Sequence, residues 1–227
     1  MGPVRDKRRE CPYHCAVPGA PFPTGQNDMT EFSAQVPLQW LSRLATSRFN
    51  HYAGLTSDTL VALGLLAAGL RLNDHGIAWV LGLVACGLLI FSLIEYAGHR
   101  WLFHGPFEVF EQGHRRHHEQ PQGYDALPFF LPPLAYLLLA ALLTYAMPTA
   151  SALLLGGSIA AGYAAYGITH WSIHAFRFRH PLARNWAAVH HIHHNHPERN
   201  FGVTSPLWDF VLRTHYVSTS KNLRRAR

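Results

Sequence analysis

The sequence predicts an all-α integral membrane protein: four apolar helices in two hairpins, with a His-rich helical cap gathered on one face. Three observations carry this. Hydrophobic residues fill 48% of the 227 positions and concentrate in a few long runs. Ten of the 17 histidines fall into four clusters that flank those runs. The basic residues are also lopsided, with six Lys or Arg before residue 59, three in 98–126, nine in 171–227, and Arg71 alone on the other side.

Residues 1 to about 30 carry Pro, Gly and clustered charge with little to bury, and read as a flexible tail. Cys11 and Cys15, with His14 between them, form half a metal site, and no second pair completes it. No apolar stretch marks a secretory signal here, so the chain is expected to insert by its first membrane helix. From Glu31 to Tyr52, apolar Trp40, Leu41, Leu44 and Phe49 alternate with Arg43 and Arg48, as in either a helix at headgroup level or a polar linker. The organisation expected is a tail and interfacial segment over 1–52 and a membrane domain over 53–227.

Four apolar segments follow, at 59–72, 76–97, 127–147 and 149–169. The last three meet the roughly 20 residues needed to span hydrocarbon; the first is short and ends at Arg71, which can snorkel. Asn73-Asp74-His75 joins the first pair and Pro148 the second, so each pair reads as a tight hairpin. Four crossings put the N-terminus, the 98–126 connection and the 170–227 region on one face. By the positive-inside rule that face is cytoplasmic. The net charge of +6 is thereby assigned to a membrane surface, and nucleic acid is not an expected partner because the basic residues form no stripe.

The clusters read His99-x4-His104, His114-x2-His117-His118, His170-x3-His174 and His190-x2-His193-His194. Imidazole suits zinc, copper and iron, and neither packing nor solubility calls for this grouping. Residues three and four apart share a helix face, so His114, His117 and His118 can converge on one point, as can His190, His193 and His194, and the pair His170 and His174. His99 and His104 lie about 140° apart on an ideal helix, so both bind only if the helix distorts or ends between them, which Gly98 and Gly105 permit. A closed tetrahedral zinc site takes four ligands, whereas two metals with five protein ligands each use all ten and leave open positions. Zinc has no redox chemistry, so an oxidative role favours iron. His14, His51, His75, His180, His196 and His215 read as ordinary polar residues, and the x2 spacing selects His190 over His191.

The stretches His99-Arg-Trp-Leu-Phe-His104, Gly113-His-Arg-Arg-His-His118, Pro132-Pro133 and Phe201-Gly-Val-Thr-Ser-Pro-Leu-Trp-Asp-Phe-Val211 together resemble the fatty acid hydroxylase superfamily. That superfamily takes in sphingolipid fatty acid 2-hydroxylases and sterol oxidases and desaturases, and the resemblance covers roughly residues 95–216. It implies a membrane-bound non-haem di-iron monooxygenase, an O2-dependent oxidoreductase of lipid metabolism that hydroxylates a C–H bond of a lipid acyl chain. The ligands it implies are His99, His104, His114, His117, His118, His170, His174, His190, His193 and His194, holding two iron ions, with zinc possible in a purified sample. Glu95 and Asp209 become candidates for orienting an imidazole, or alternatively for a helix-end salt bridge.

The residues before the membrane region are too few for a fused cytochrome b5 domain. Electrons are therefore expected from a separate cytochrome b5-, ferredoxin- or rubredoxin-like protein. The loop between His104 and His114 is short for the 2-hydroxylases, and Tyr124-Asp125-Ala126-Leu127 stands where they carry another polar pair, which leaves the substrate open. Desaturation and carotenoid or sterol oxidation are the alternatives within the same chemistry. A His-rich metal-binding or transport protein is the alternative outside it, although transporters place polar ligands near the bilayer midplane. No dinucleotide, P-loop or haem-attachment pattern is present, so bound flavin, NAD or haem is not expected.

Overall fold

Ser47 starts the first long helix: its hydroxyl accepts the N–H of Asn50 at 3.1 Å, satisfying one of the donors that a helix start leaves free. The computed structural model describes residues 40–218. A short helical stretch at 40–45 precedes α1 (Arg48–Leu72), which is followed by α2 (Ile77–Ala97), a π-helix (Gly98–Phe103) and α3 (Glu108–Glu119). Then come α4 (Leu131–Leu143), α5 (Thr149–Ala175), α6 (Pro181–Asn195) and the short α7 (Leu207–Val211). No strand occurs among the described residues. The predicted N-terminal tail, with Cys11, His14 and Cys15, lies outside them.

Among the described residues, three helical stretches are long and apolar enough to cross a membrane: Arg48–Leu72, Ile77–Phe103 and Thr149–Ala175. Large apolar side chains such as Leu60, Leu63, Leu81 and Leu138 are exposed on them and on α4, as a lipid solvent allows. The first apolar segment is the C-terminal half of α1, a helix that begins at Arg48 and so takes in the end of the stretch read as interfacial.

The third apolar segment differs most from expectation. The sequence reads as one span over 127–147, yet the helix covers only Leu131–Leu143. Pro128, Pro132 and Pro133 explain the late start, because proline lacks an N–H and belongs in the first turn of a helix, where Pro132 and Pro133 sit. At about 1.5 Å per residue, α4 is about 20 Å long. The non-helical residues before it lie against α1, and their backbone groups are paired by α1 side chains. Asn50, fully buried, donates to the carbonyl of Leu127 at 2.9 Å and accepts the N–H of Phe129 at 2.8 Å. Ser57 donates to the carbonyl of Phe129 at 3.1 Å. Irregular backbone at membrane depth is tolerated only where protein pairs it in this way.

α5 is the central post, packed against α1, α2 and α4. Small residues allow it close to its neighbours, which is how helices gain contact where lipid is as apolar as leucine. A Cβ on Gly87 of α2 would fall 2.6 Å from that of Ser158, and one on Gly157 would fall 3.0 Å from that of Leu65. This bundle holds the C-terminal end of α5, with His170 and His174, beside the π-helix that ends α2.

Replacing Asn50 with the isosteric Leu leaves the part-buried carbonyl of Leu127 and N–H of Phe129 unpaired. At about 1–3 kcal/mol for each orphaned group, N50L is expected to lower the midpoint of thermal unfolding in detergent by several degrees. N73L, at the opposite end of α1, is expected to shift it far less.

Candidate metal centre

The π-helix resolves the five-residue spacing of the first cluster. Its wider turn closes with the N–H of His104 donating to the carbonyl of His99 at 3.2 Å, and His99 and His104 then face the same centre. All ten predicted histidines meet in two groups of five. The first holds His99, His104, His114, His118 and His193; the second holds His117, His170, His174, His190 and His194. Within each group the ligand nitrogens lie within 4.8 Å of one another.

Although helix geometry would allow each x2 cluster to converge on one point, the structure divides both between the two groups. His114 and His118 share a face at i, i+4 and join the first group, while His117, about 100° round the helix from His118, joins the second. On α6 the assignment is reversed, with His190 and His194 in the second group and His193 in the first. Each of the two helices therefore serves both groups. His191 belongs to neither group and is exposed, although its ring is 5.7 Å from that of His174.

The Nδ1–H of His99 donates to the carbonyl of Phe201 at 2.5 Å and that of His193 to the carbonyl of Arg199 at 2.7 Å, which leaves each Nε2 as a lone pair. Nε2 of His114 lies 3.0 Å from Nε2 of each of His99, His104 and His118, and one proton cannot serve three acceptors. In the second group, Nε2 of His190 is 3.0 Å from that of His174 and 3.1 Å from that of His194. Nε2 of His117 and of His170 are buried with no hydrogen-bond partner among the described residues. Nitrogens about 2.1 Å from a metal and at right angles to each other are about 3.0 Å apart, whereas tetrahedral angles would separate them by about 3.4 Å. The observed spacings are of the size expected between donors to a shared ion, and the residues would fit one metal ion in each group.

Burial, followed by neighbouring imidazoles, keeps these rings neutral. It pushes His104 down to about 4, with His118 adding to the effect, and His117 to about 3, with His174 adding to it. His193 also falls to about 3, against the pull of its bond to the Arg199 carbonyl. His114, His118, His190 and His194 are lowered as well, burial being the main cause for each. At neutral pH the donors are therefore not blocked by protons. Phe103 stacks on His114 and Tyr166 on His170, at centroid distances of 5.2 and 5.5 Å, walling the groups from the side.

Glu95 and Asp209 reach the imidazoles at one remove. Glu95 accepts the N–H groups of Val203 and Thr204, at 2.5 and 2.9 Å, and the Thr204 hydroxyl. Asp209 accepts the N–H of Phe201 at 2.9 Å, that of Gly202 at 2.8 Å and the Thr214 hydroxyl at 2.7 Å. Together they fix the 201–204 loop whose Phe201 carbonyl orients His99. Neither forms a helix-end salt bridge with any of the described residues. The Phe201 and Arg199 carbonyls and Asn200, at φ 55°, are functional parts the sequence reading did not single out.

Fold and site together define an all-helical membrane protein carrying a histidine-built centre capable of holding metal. The family model for fatty acid hydroxylases matches residues 84–214, more than half of the chain, and the chain belongs to that family. A dihydroceramide fatty acyl 2-hydroxylase of Arabidopsis thaliana is 34% identical over 58% of this chain and 60% of its own length. A second from the same plant is 31% identical over 64% and 65%. The fatty acid 2-hydroxylase of Rattus norvegicus is 27% identical over 79% of this chain and 51% of its own. The chain thus spans between half and two thirds of these relatives, which as hydroxylases are oxidoreductases. Among solved structures, full-length scs7p, of which only the hydroxylase domain is visible, has the same fold. Its TM-score is 0.65 at 23% identity, over 78% of this chain and 70% of that one.

Removing the Glu95 carboxylate with E95A unpairs the buried N–H of Val203, at about 1–3 kcal/mol, and the part-buried N–H and hydroxyl of Thr204. Metal content and unfolding measured together are expected to fall for E95A and to fall less for E95Q, which keeps an acceptor oxygen for the two N–H groups.

Proposed function

We propose that this chain is a membrane-bound non-haem di-iron monooxygenase that hydroxylates a lipid acyl chain beside its carbonyl, taking two electrons from a separate redox protein. The observation that carries the reading is the pair of five-imidazole groups, whose ligand nitrogens converge within 4.8 Å of one another, with the ε-nitrogens of His99 and His193 presented as lone pairs. All ten histidines are assigned as ligands, one ion to each group. Five protein donors leave a position open, which a catalytic metal needs and a structural one does not. The names of the plant and rat relatives favour an acyl chain, free or in amide linkage, oxidised at carbon 2.

When bound, the iron pair supplies O2 activation, so that R–H, O2, two electrons and two protons give R–OH and water. The chain supplies everything around that chemistry. The Phe201 and Arg199 carbonyls hold His99 and His193 in the tautomer that presents Nε2 inward. Phe103, Tyr166 and the buried imidazoles keep bulk water from the centre. The bundle places the centre at the end of the spanning helices, where an acyl chain can arrive from the leaflet. The excess of Lys and Arg around the histidine-bearing segments supports a cytoplasmic orientation for this face.

H117A and H193A, one from each group, are expected to abolish product and to lower bound metal while the protein still inserts. Lipids from expressing cells, read by mass spectrometry, should gain one oxygen; loss of two hydrogens would identify a desaturase, and full turnover in either variant would refute the ligand assignment. For orientation, a cysteine placed at Asp74 is expected to react with an impermeant maleimide in intact cells, and one at Gln122 only after the membrane is opened.

A further inference from the structure

The segment after α6 lies beside a spanning helix rather than above it. The indole N–H of Trp208 in α7 donates to the hydroxyl of Ser92 at 3.0 Å, and Glu95 takes the N–H groups of Val203 and Thr204; Ser92 and Glu95 both belong to α2. Counted from Ile77 after the hairpin turn, about 20 residues at about 1.5 Å each cross the roughly 30 Å of hydrocarbon and end near Tyr96. Ser92 then lies about 6 Å inside that boundary. Around it α2 exposes Leu88 and Leu89, and α7 continues the same apolar surface with Leu207, Phe210 and Val211. Phe210 is 60% exposed and Val211 57%, more than an aqueous surface would favour in a five-residue helix. Arg213, exposed just after Leu212, is where a cation can reach the phosphates from an inserted helix.

The inward side of α7 carries Asp209, with no exposed surface, and that carboxylate holds the N–H groups of Phe201 and Gly202. The Phe201 carbonyl in turn holds His99. We propose that α7 is seated in the acyl layer of the leaflet and couples it to the first imidazole group, the bilayer holding Phe210 and Val211 while Asp209 and Phe201 pass that position to His99. Asp209 is accordingly a positioning residue, and the coupling rests on the metal-site reading given above, whereas the depth of α7 does not.

The test uses the full chain in lipid nanodiscs with the native cysteines replaced by serine. A fluorophore on F210C is expected to be quenched by phosphatidylcholine carrying a nitroxide near the top of its acyl chain and to be shielded from aqueous iodide, with Q122C showing the reverse. Equal iodide quenching at the two positions would overturn the insertion. For the coupling, F210D is expected to release about half of the metal to an aqueous chelator at least about ten-fold faster than wild type, the size of effect seen when a ligand's supporting partner is lost. F210L should behave as wild type. Wild-type release from F210D would overturn the coupling. A wild-type protein that binds no metal would overturn the site reading and the coupling with it, while the quenching result would stand on its own.

Discussion

Too few protons among too many lone pairs is the condition that organises this molecule. Nε2 of His114 faces three other ε-nitrogens at 3.0 Å, and at least one of them, on His99, has its only proton committed elsewhere. A ring nitrogen carries one proton or one lone pair, so His114 can satisfy one of these three contacts by a hydrogen bond; the others are unfavourable unless a cation lies between them, and a dry interior screens them little. The bundle and the 199–204 loop hold the rings at this separation. Their stability therefore maintains a geometry that favours metal over its absence, and ion binding and folding reinforce each other.

The sharing of helices between the groups follows from helical geometry. Consecutive residues on α3 and α6 point about 100° apart, so His117 and His118 diverge, as do His193 and His194. Each helix contributes to both groups, and the stacked rings of His118 and His194, with centroids 4.3 Å apart, form the seam between them. The separation of the two groups is thus fixed by side chains one residue apart on a rigid helix, which flexes far less than a loop.

Much of this was legible in the sequence. The apolar runs and charge asymmetry gave the helical membrane class, and the clusters gave the ten residues that meet. The need for a distorted helix between His99 and His104 also followed from their spacing. The 127–147 run was misread as one helix because apolarity reports environment and not hydrogen bonding; the three prolines were the available signal. The partition of the x2 clusters was hidden because i, i+3 and i, i+4 are both neighbours on a helix, and only the third dimension selects between them. The Phe201 and Arg199 carbonyls left no trace, since every residue owns a carbonyl and its direction is set by the fold.

The π-helix at Gly98–Phe103 amounts to one residue held in excess of an ordinary turn. Deleting a single residue there would let the segment relax into regular α-helix, rotating everything downstream by about 100° and carrying one of the two imidazoles off the centre. Insertions and deletions are usually absorbed by loops, yet here the length of a helical stretch is itself constrained. Lineages of this protein should vary in side chains along that stretch far more readily than in its number of residues.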